Sequence, residues 1–331
     1  MGKVTSKKSG GSISIADVAR HAEVSIGTVS RVINRHPSVA SELRRKVLVS
    51  SRELGFVPKV ARRCIALVTG RHSPGLPIGY VSVMTSLVSQ ELASRGYAVE
   101  LIDIANLELA YESHVDGVIG IVFDKRLVEL RAIPNLPMVT INKPLIEHGI
   151  HGVYADHYQQ AVDACRHLIE RGHDKIAYLE IESNEWGSQE RLRGYRDALE
   201  DAGLPFDAER VCYTSEQPIY DILSRWCQKG MTGLLNFSED VGLEVLHILG
   251  NVLGKKIGKD ISTISLEDFP VYQYLTPPQT VVRQPLAKLA KLAVEHVLQP
   301  VSEAADIANV QLPTELVIRD SVATIGEAVT T

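Results

Sequence analysis

Residues 15–36 read IADVARHAEVSIGTVSRVINRH, and this stretch carries the same apolar spacing twice. The spacing i, i+3, i+4 occurs in residues 15–19 and again in residues 29–33, and each occurrence places an apolar stripe on one helical face. We therefore predict two short helices joined by a tight connection. The outward face of the second helix has no acidic residue, although solvent-exposed helix faces commonly mix both signs. It consists of Ser25, Ile26, Gly27, Ser30, Arg31, Asn34 and Arg35.

Capping residues and a third apolar pattern surround these two helices. Ser14 and Asp17 have the spacing of a capping box, with aspartate in the usual place of glutamate, and Ser25 is a favourable N-cap for the second helix. A longer helix is predicted over residues 43–54, ending at Gly55. Three helices with a short link between the first two predict a helix-turn-helix, and the alternative is a plain three-helix bundle.

The charge of the chain is divided unevenly along its length. Residues 1–63 hold 13 Lys and Arg against 4 Asp and Glu, a net charge of +9, whereas the remaining residues hold 22 against 36, a net charge of −14. A basic module joined to an acidic body indicates a polyanionic partner for the module alone. The alternative is a charged surface without a specific partner.

Double-stranded DNA is the polyanion that fits a helix-turn-helix, because the N-terminal residues of the second helix enter the major groove between two rows of phosphates. Arg31 can donate bidentately to guanine, and Ile26 can contact a thymine methyl group. Three further side chains can bond phosphates or base edges, namely Ser25, Ser30 and Asn34.

The run IADVARHAEVSIGTVSRVIN resembles the N-terminal signature of the LacI/GalR (lactose-repressor/galactose-repressor) family, and the match continues through VASELRRKVLVSSRELGFVP. The resemblance implies a homodimer whose two headpieces read a pseudo-palindromic operator, with Ile26 and Gly27 at the two positions that distinguish operators. We predict a flexible lead-in over 1–12, a helix-turn-helix domain over 13–57 and a hinge over 58–64. The candidate DNA-binding residues are Ser14, Ser25, Ile26, Gly27, Thr28, Ser30, Arg31, Asn34, Lys59, Arg62, Arg63 and Cys64.

The hinge departs from the family pattern. The resemblance implies a hinge helix that folds on DNA and wedges a leucine into the minor groove, but one residue is missing here and Cys64 occupies the place of that leucine. Because cysteine is smaller than leucine, we expect weaker bending of the DNA. Arg62 and Arg63 are expected at the phosphates or in the narrow groove.

The acidic body alternates short apolar runs with amphipathic helical segments. This order predicts parallel sheets of the α/β type, with ligands beyond the carboxyl ends of the strands. The resemblance implies two Rossmann-like lobes of the periplasmic-binding-protein type, joined by three crossings. The effector-binding and dimerisation domain then spans 65–331, with lobe 1 at about 65–155 and 285–311 and lobe 2 at about 156–284 and 312–331. Only 12 residues, 104–115, separate a strand from the VDG run, so one helix of lobe 1 should be cut to a turn or two.

A cleft between the lobes is the predicted effector site. Arg191, in the pattern RxxGY, stands where the family places an arginine that grips an effector's hydroxyls or carboxylate; the alternative is a surface arginine at a helix start. Glu267 replaces an aspartate that contacts sugar in the family. The complete set of candidates is Tyr80, Glu185, Trp186, Arg191, Tyr213, Ser238 and Glu267. Carboxylates, arginine and aromatic rings together predict a sugar-like effector.

Several other classes of function are disfavoured. Four cysteines show neither close pairing nor metal-ligand spacing, and no apolar run approaches the ~18 residues of a membrane span. The N-terminus lacks the apolar segment of a secretory signal, and GK[ST], GxSxG and HExxH are absent from the sequence. We therefore predict a cytoplasmic transcriptional repressor, without cofactor or catalysis, that a small sugar-like effector controls. The alternatives are a DNA-binding regulator whose body serves dimerisation or a protein partner, and a solute-binding or sugar-processing protein.

Overall fold

The computed structural model describes residues 13–34, 36, 38–56, 63–70, 79–122, 124–237, 240–299 and 309–326. Its N-terminal part is a headpiece of three helices, α1 (Ile15–His21), α2 (Ile26–Ile33) and α3 (Ser41–Glu53). Ser14 and Asp17 form the predicted capping box, and Gly55, with φ of +68°, follows the end of α3 in the left-handed region that favours glycine. The apolar stripes pack together into a small core made of Val18, Ala19, Ala22, Val29, Val32, Val39, Val47 and Leu48.

The body of the chain forms two six-stranded sheets surrounded by helices. In the first sheet the strand order is β11-β5-β4-β3-β1-β2, and in the second it is β12-β10-β9-β8-β6-β7. In chain order the elements are β1 (Cys64–Thr69), α4 (Tyr80–Ser94), β2 (Ala98–Asp103), α5 (Leu109–Glu112), β3 (Gly117–Ile121), β4 (Met138–Ile141), β5 (His151–Ala155), α6 (His157–Ile169), β6 (Ile176–Glu180), α7 (Trp186–Asp201), β7 (Val211–Tyr213), α8 (Ile219–Gln228), β8 (Gly233–Asn236), α9 (Asp240–His247), β9 (Ser262–Ser265), β10 (Thr280–Arg283), α10 (Leu286–Val297), β11 (Val310–Leu312) and β12 (Glu315–Val317).

Nearly all strand pairs are parallel, as the sequence predicts, and the exception is the antiparallel pair of β10 and β12. The chain passes between the two sheets after β5, after β10 and after β11, which gives the three crossings that the resemblance implies. Strands such as β1 and β3 are buried along their whole length because helices cover both faces of each sheet. In the described part of the chain, no helix is long and apolar enough to cross a membrane.

The predicted shortening of lobe 1 is confirmed. Between β2 and β3 the chain makes only a 3₁₀ turn, Ile104–Asn106, and the single turn α5. Residues 111–115, at the end of this segment, lie against α3 of the headpiece.

Three side chains of α3 contact this segment. The Arg52 guanidinium donates to the carbonyl oxygens of Ser113 and Val115 at 3.4 and 3.2 Å. The Arg45 guanidinium lies 4.0 Å from the centre of the Tyr111 ring, and the Ser41 hydroxyl donates to Glu112 at 3.0 Å. Burial lowers the pKa of Arg52 to about 10, and Asp116 opposes that shift. The truncated segment of lobe 1 is thus a contact surface for the headpiece.

The prediction for Cys64 is wrong. Cys64 is the first residue of β1, where it pairs with Ala98, and its side chain is 3% exposed within a core cluster. Its backbone N–H donates to the Asp116 carboxylate at 2.8 Å. Strand β1 therefore begins at Cys64, the residue predicted to end the hinge. Because the Cys64 side chain is buried in this core, it is not a wedge for the minor groove.

Candidate functional sites in the headpiece and the interlobe cleft

The N-terminal turn of α2 is fixed by its cap. The Ser25 hydroxyl accepts from the Thr28 backbone N–H at 3.0 Å and shares a 2.9 Å hydrogen bond with the Thr28 hydroxyl. Ile26, the first residue of the helix, is 54% exposed, whereas Val29 at the end of the same turn packs into the headpiece core. Gly27 and Arg31 are exposed on the same helix, and α2 carries no acidic residue. This is the geometry that a major-groove helix requires.

Other predicted DNA-binding residues have structural partners of their own. The Ser14 hydroxyl belongs to the capping box of α1, and the Asn34 amide donates to the Ser30 carbonyl at 2.9 Å at the end of α2. Arg63 is exposed immediately before β1, with its guanidinium 5.6 Å from the centre of the Tyr97 ring. Lys59 and Arg62 lie outside the described residues.

A cavity of about 230 Å³ lies between the two sheets at the carboxyl ends of their strands. Its walls come from both lobes and from the crossings. The described residues that line it are Gly70, Tyr80, Val81, Ile121, Val122, Asn142, His157, Glu180, Ile181, Glu182, Glu185, Gly187, Ser188, Arg191, Phe237, Glu267 and Gln284.

Arg191 reaches this cavity from the second turn of α7. Arg191 is not at the start of the helix, as the surface alternative assumed, because α7 begins at Trp186. Gly194 explains how the helix comes so close: a Cβ at this position would collide with the backbone oxygen of Tyr158 in α6. The glycine of the RxxGY pattern thus lets α7 pack directly on α6, and this packing turns Arg191 toward the cleft.

The Arg191 guanidinium is buried and already paired. Its Nε donates to Glu180 Oε2 at 2.9 Å, and both side chains are at most 5% exposed. The guanidinium also lies 4.2 Å from the centre of the Phe237 ring. Burial alone would lower the pKa of Arg191, but Glu180, Tyr178 and Glu267 outweigh this effect and raise that pKa. Arg191 is therefore a fixed cation in the cleft wall, and the surface alternative is wrong.

A second buried network joins the lobes at the base of the cleft. The Asn142 amide at the end of β4 donates to the Tyr80 hydroxyl at 2.9 Å and to Gln284 Oε1 at 2.7 Å. The Gln284 amide donates in turn to the Glu267 carboxylate after β9. Tyr80 and Asn142 belong to the first sheet's side of the cleft, whereas Glu267 belongs to the second, so a ligand that touches this network contacts both lobes.

The remaining predicted effector residues divide into two groups. Glu185 lines the cavity. Trp186 and Tyr213 are not among the described residues that line it: the Trp186 ring packs edge-on against Tyr154 at 5.1 Å, and Tyr213 ends β7 at the edge of the second sheet. Ser238 lies outside the described residues.

The sequence reasoning missed the residues that complete the cavity. Glu180 ends β6, and a charged residue at the carboxyl end of an otherwise apolar strand was the available signal. His157 opens α6 directly after the first crossing, and Asn142 follows β4 with φ of +56°. Nothing in the local sequence patterns around Gln284 or Phe237 distinguishes them from ordinary loop residues.

Comparison with known proteins agrees with this architecture. Residues 14–59 match the model of the bacterial regulatory proteins of the lacI family. Residues 80–219 match the periplasmic binding proteins and sugar binding domain of the LacI family, and residues 165–322 match a periplasmic binding protein-like domain.

Full-length relatives give the same answer. The chain is 30% identical to the HTH-type transcriptional regulator GalR of Escherichia coli K12 over 94% of this chain and 96% of that protein. It is 28% identical to the HTH-type transcriptional repressor PurR of Vibrio vulnificus over 94% of this chain and 99% of that protein. A solved transcriptional regulator CelR–cellobiose complex is 28% identical, with a TM-score of 0.68, over 93% of this chain and 99% of that chain. The chain belongs to the LacI family, whose members are DNA-binding transcriptional regulators under the control of small effectors.

Proposed function

We propose that this protein represses transcription by binding a pseudo-palindromic operator as a homodimer, and that a small molecule in the interlobe cleft controls this binding. The observation that carries the DNA-binding part is the exposed face of α2, which has no acidic residue and is held by the Ser25 cap. In this proposal Arg31 reads a base edge, Ile26 makes an apolar contact and Gly27 contributes no side chain. The protein acts in the cytoplasm, where its DNA partner is.

The cleft binds its ligand and does not transform it. Arg191 offers the N–H groups that Glu180, His157 and Ser188 leave unused, which suits hydroxyl groups held against the Phe237 ring. A sugar-like effector is also supported by the relative that was solved with cellobiose. The network from Tyr80 to Glu267 reaches both lobes, so a ligand that contacts it changes the relative stability of two lobe arrangements, and with them the spacing of the headpieces.

Operator selection tests the DNA-binding part of this proposal. The full-length protein selects binding sites from random duplex DNA, and fluorescence anisotropy then measures the affinity of the recovered sequence. The expected result is a two-fold symmetric site that Arg31→Ala binds more weakly and with less preference at one base pair. Recovery of no enriched sequence would contradict the proposal.

A screen for effectors tests the second part. Thermal-shift measurements on the full-length protein identify compounds that raise its unfolding temperature, and the same compounds are added to the operator complex. We expect a compound that both stabilises the protein and changes operator affinity. If no compound does either while operator binding is intact, the body serves dimerisation or a protein partner instead.

A further inference from the structure

The charge of the cavity wall is strongly asymmetric. Four carboxylates line the cavity, those of Glu180, Glu182, Glu185 and Glu267, and Arg191 is the only lysine or arginine among the described lining residues. Arg191 is already balanced by Glu180 at 2.9 Å. Acidic side chains therefore outnumber basic ones among the described lining residues of the cavity.

Glu185 is the cavity carboxylate that has an unpaired oxygen atom. Its Oε2 atom is buried and accepts no hydrogen bond from any described group. Burial is the main cause that raises the pKa of Glu185 to about 7; Glu182 and Asp124 add to this rise, whereas Lys143 and Arg191 oppose it. A buried carboxylate without a donor is destabilised, and a bound cation or N–H donor would relieve this.

His157 supplies an independent sign of a missing ligand. Its side chain is 3% exposed and lines the same cavity. Arg191 Nη1 lies 3.2 Å from His157 Nδ1, and a guanidinium has only donors, so Nδ1 accepts and the proton of the neutral ring resides on Nε2. Gln160 Oε1 lies 3.3 Å from Nδ1, and we assign the tautomer from the guanidinium because it is closer and can only donate. Burial, with Arg191 adding to it, lowers the pKa of His157 to about 3, which keeps the ring neutral.

The Nε2–H group of His157 consequently points a donor at the cavity and has no hydrogen-bond partner in the described part of the chain. Gly187 keeps the approach open, because a Cβ there would lie 3.4 Å from His157 Nε2 and 3.2 Å from Arg191 Nη1. The cavity thus presents the His157 N–H donor and the half-buried Glu185 carboxyl group, whose buried Oε2 atom accepts no hydrogen bond from the described residues.

We propose that the effector is a hydroxyl-bearing small molecule that also carries an ammonium group, with Glu185 binding the ammonium and His157 and Arg191 binding hydroxyl oxygens. This inference rests on the proposed effector function of the cleft and specifies its ligand class. Carboxylated or phosphorylated compounds are rejected, because they would bring a like charge to Glu185 and Glu267 in a partly desolvated site. An amino sugar is the simplest compound with the required groups.

The test compares ligands that share a framework and differ in charge. Calorimetry measures binding of each compound to the full-length protein. The first set is D-glucosamine, D-glucose and D-glucuronate, and matching sets use the amino, neutral and carboxylate forms of a pentose and of a disaccharide. We expect the amino form of one framework to bind at least tenfold more tightly than its neutral form, and the carboxylate form not to bind. Tightest binding by a carboxylate form overturns this inference and leaves the effector function intact. Binding by no framework overturns the inference, and the wider thermal-shift screen then decides whether the effector function also fails.

Variants assign the effect to Glu185. Glu185→Gln keeps the shape of the side chain and removes its charge, so the preference for the amino form over the neutral form should fall to less than threefold. Glu200→Gln, on the exposed far part of the same helix, is the matched control and should change neither affinity. An amino preference that survives in Glu185→Gln overturns the assignment.

The pH dependence provides a second readout that a purely structural role would not produce. In the free protein the raised pKa favours the protonated carboxyl, so stability from this group is lost as the pH rises through about 7. An ammonium ligand prefers the ionised form and therefore releases protons when it binds. Its affinity should rise by about tenfold between about pH 5.5 and about pH 7.5, whereas that of the neutral form should stay flat. A flat profile for the amino form would contradict its pairing with Glu185.

Discussion

The outward face of α2 and the wall of the cleft are two polar recognition surfaces of opposite character in one chain. The α2 face is exposed, has no acidic residue and belongs to a segment of net charge +9. The cleft is concave and lined by four carboxylates, with Arg191 already paired to Glu180. The side chains of the first surface are exposed to solvent, whereas in the second Arg191 and Glu180 form a buried ion pair.

The difference shows how the two surfaces achieve selectivity. On the exposed face, attraction to phosphates supplies affinity, and a few side chains such as Arg31 and Ile26 supply the base preference. In the cleft, a desolvated group such as Glu185 Oε2 disfavours ligands that leave it unpaired.

The largest expected difference between the surfaces is in their response to salt. If several phosphates per half-site contact the headpiece, operator affinity should fall by roughly 10³-fold or more between about 50 and 200 mM salt. Ligand affinity in the cleft should change far less, because partly buried charges are screened weakly. Anisotropy and calorimetry at matched salt concentrations measure both quantities. Equal salt dependence of the two affinities would contradict the view that the α2 face binds through exposed charges and the cleft through partly buried ones.

The next largest effect concerns Arg191. Arg191→Ala leaves Glu180 buried without its cation, and this should cost about 3–5 kcal/mol of folding free energy in addition to abolishing ligand binding. The double variant Arg191→Met, Glu180→Gln should recover much of that stability and should still not bind the ligand. Both variants should bind the operator with the parent affinity where they are folded. Denaturant unfolding and DNA titration provide the measurements, and ligand binding by the double variant would exclude Arg191 from the site.

These two surfaces also differ in how far the sequence predicts them. The α2 face follows from local rules, since apolar spacing, the Ser25 cap and the Ser14–Asp17 capping box act within one or two turns. The alternation of strands and helices and the shortened segment after β2 are equally local, and they were predicted. The family resemblance added the two lobes and the three crossings.

The cleft could be predicted only in part, because its contacts join residues far apart in the chain. Arg191, Tyr80, Glu185 and Glu267 were predicted and line the cavity. The pairing of Arg191 with Glu180 and His157, by contrast, depends on the close packing of α6 on α7 at Gly194. Trp186 begins α7 and packs on Tyr154 and His157, and Tyr213 ends β7 at the edge of the second sheet, so neither is among the described residues that line the cavity. Cys64 was misplaced because a missing residue in the hinge left its register open.

A smaller effect, on operator affinity, is expected when Arg31 on the exposed face of α2 is replaced. Arg31→Ala should weaken the selected operator by about 1–3 kcal/mol and relax the preference at one base pair, because a bidentate donor to guanine is lost. Arg20→Ala removes an exposed arginine from α1 and is the matched control; it should weaken all sequences slightly and alike. Competition binding against single-base operator variants distinguishes the two results. Parent-like base preference in Arg31→Ala would mean that another residue reads the groove.

The smallest expected effect tests whether the two surfaces communicate through the contact between α3 and lobe 1. Arg52→Ala removes the hydrogen bonds to the carbonyl oxygens of Ser113 and Val115, each worth about 0.5–1.5 kcal/mol net. Hydrogen exchange should accelerate in α3 and in residues 111–116, while ligand affinity stays at the parent value because the cleft is untouched. If this contact transmits the state of lobe 1, the change in operator affinity caused by the ligand should shrink by several-fold. Arg20→Ala again serves as the control. Faster exchange together with undiminished coupling would show that α3 rests on lobe 1 without taking part in the response, and the hinge would then carry the signal alone.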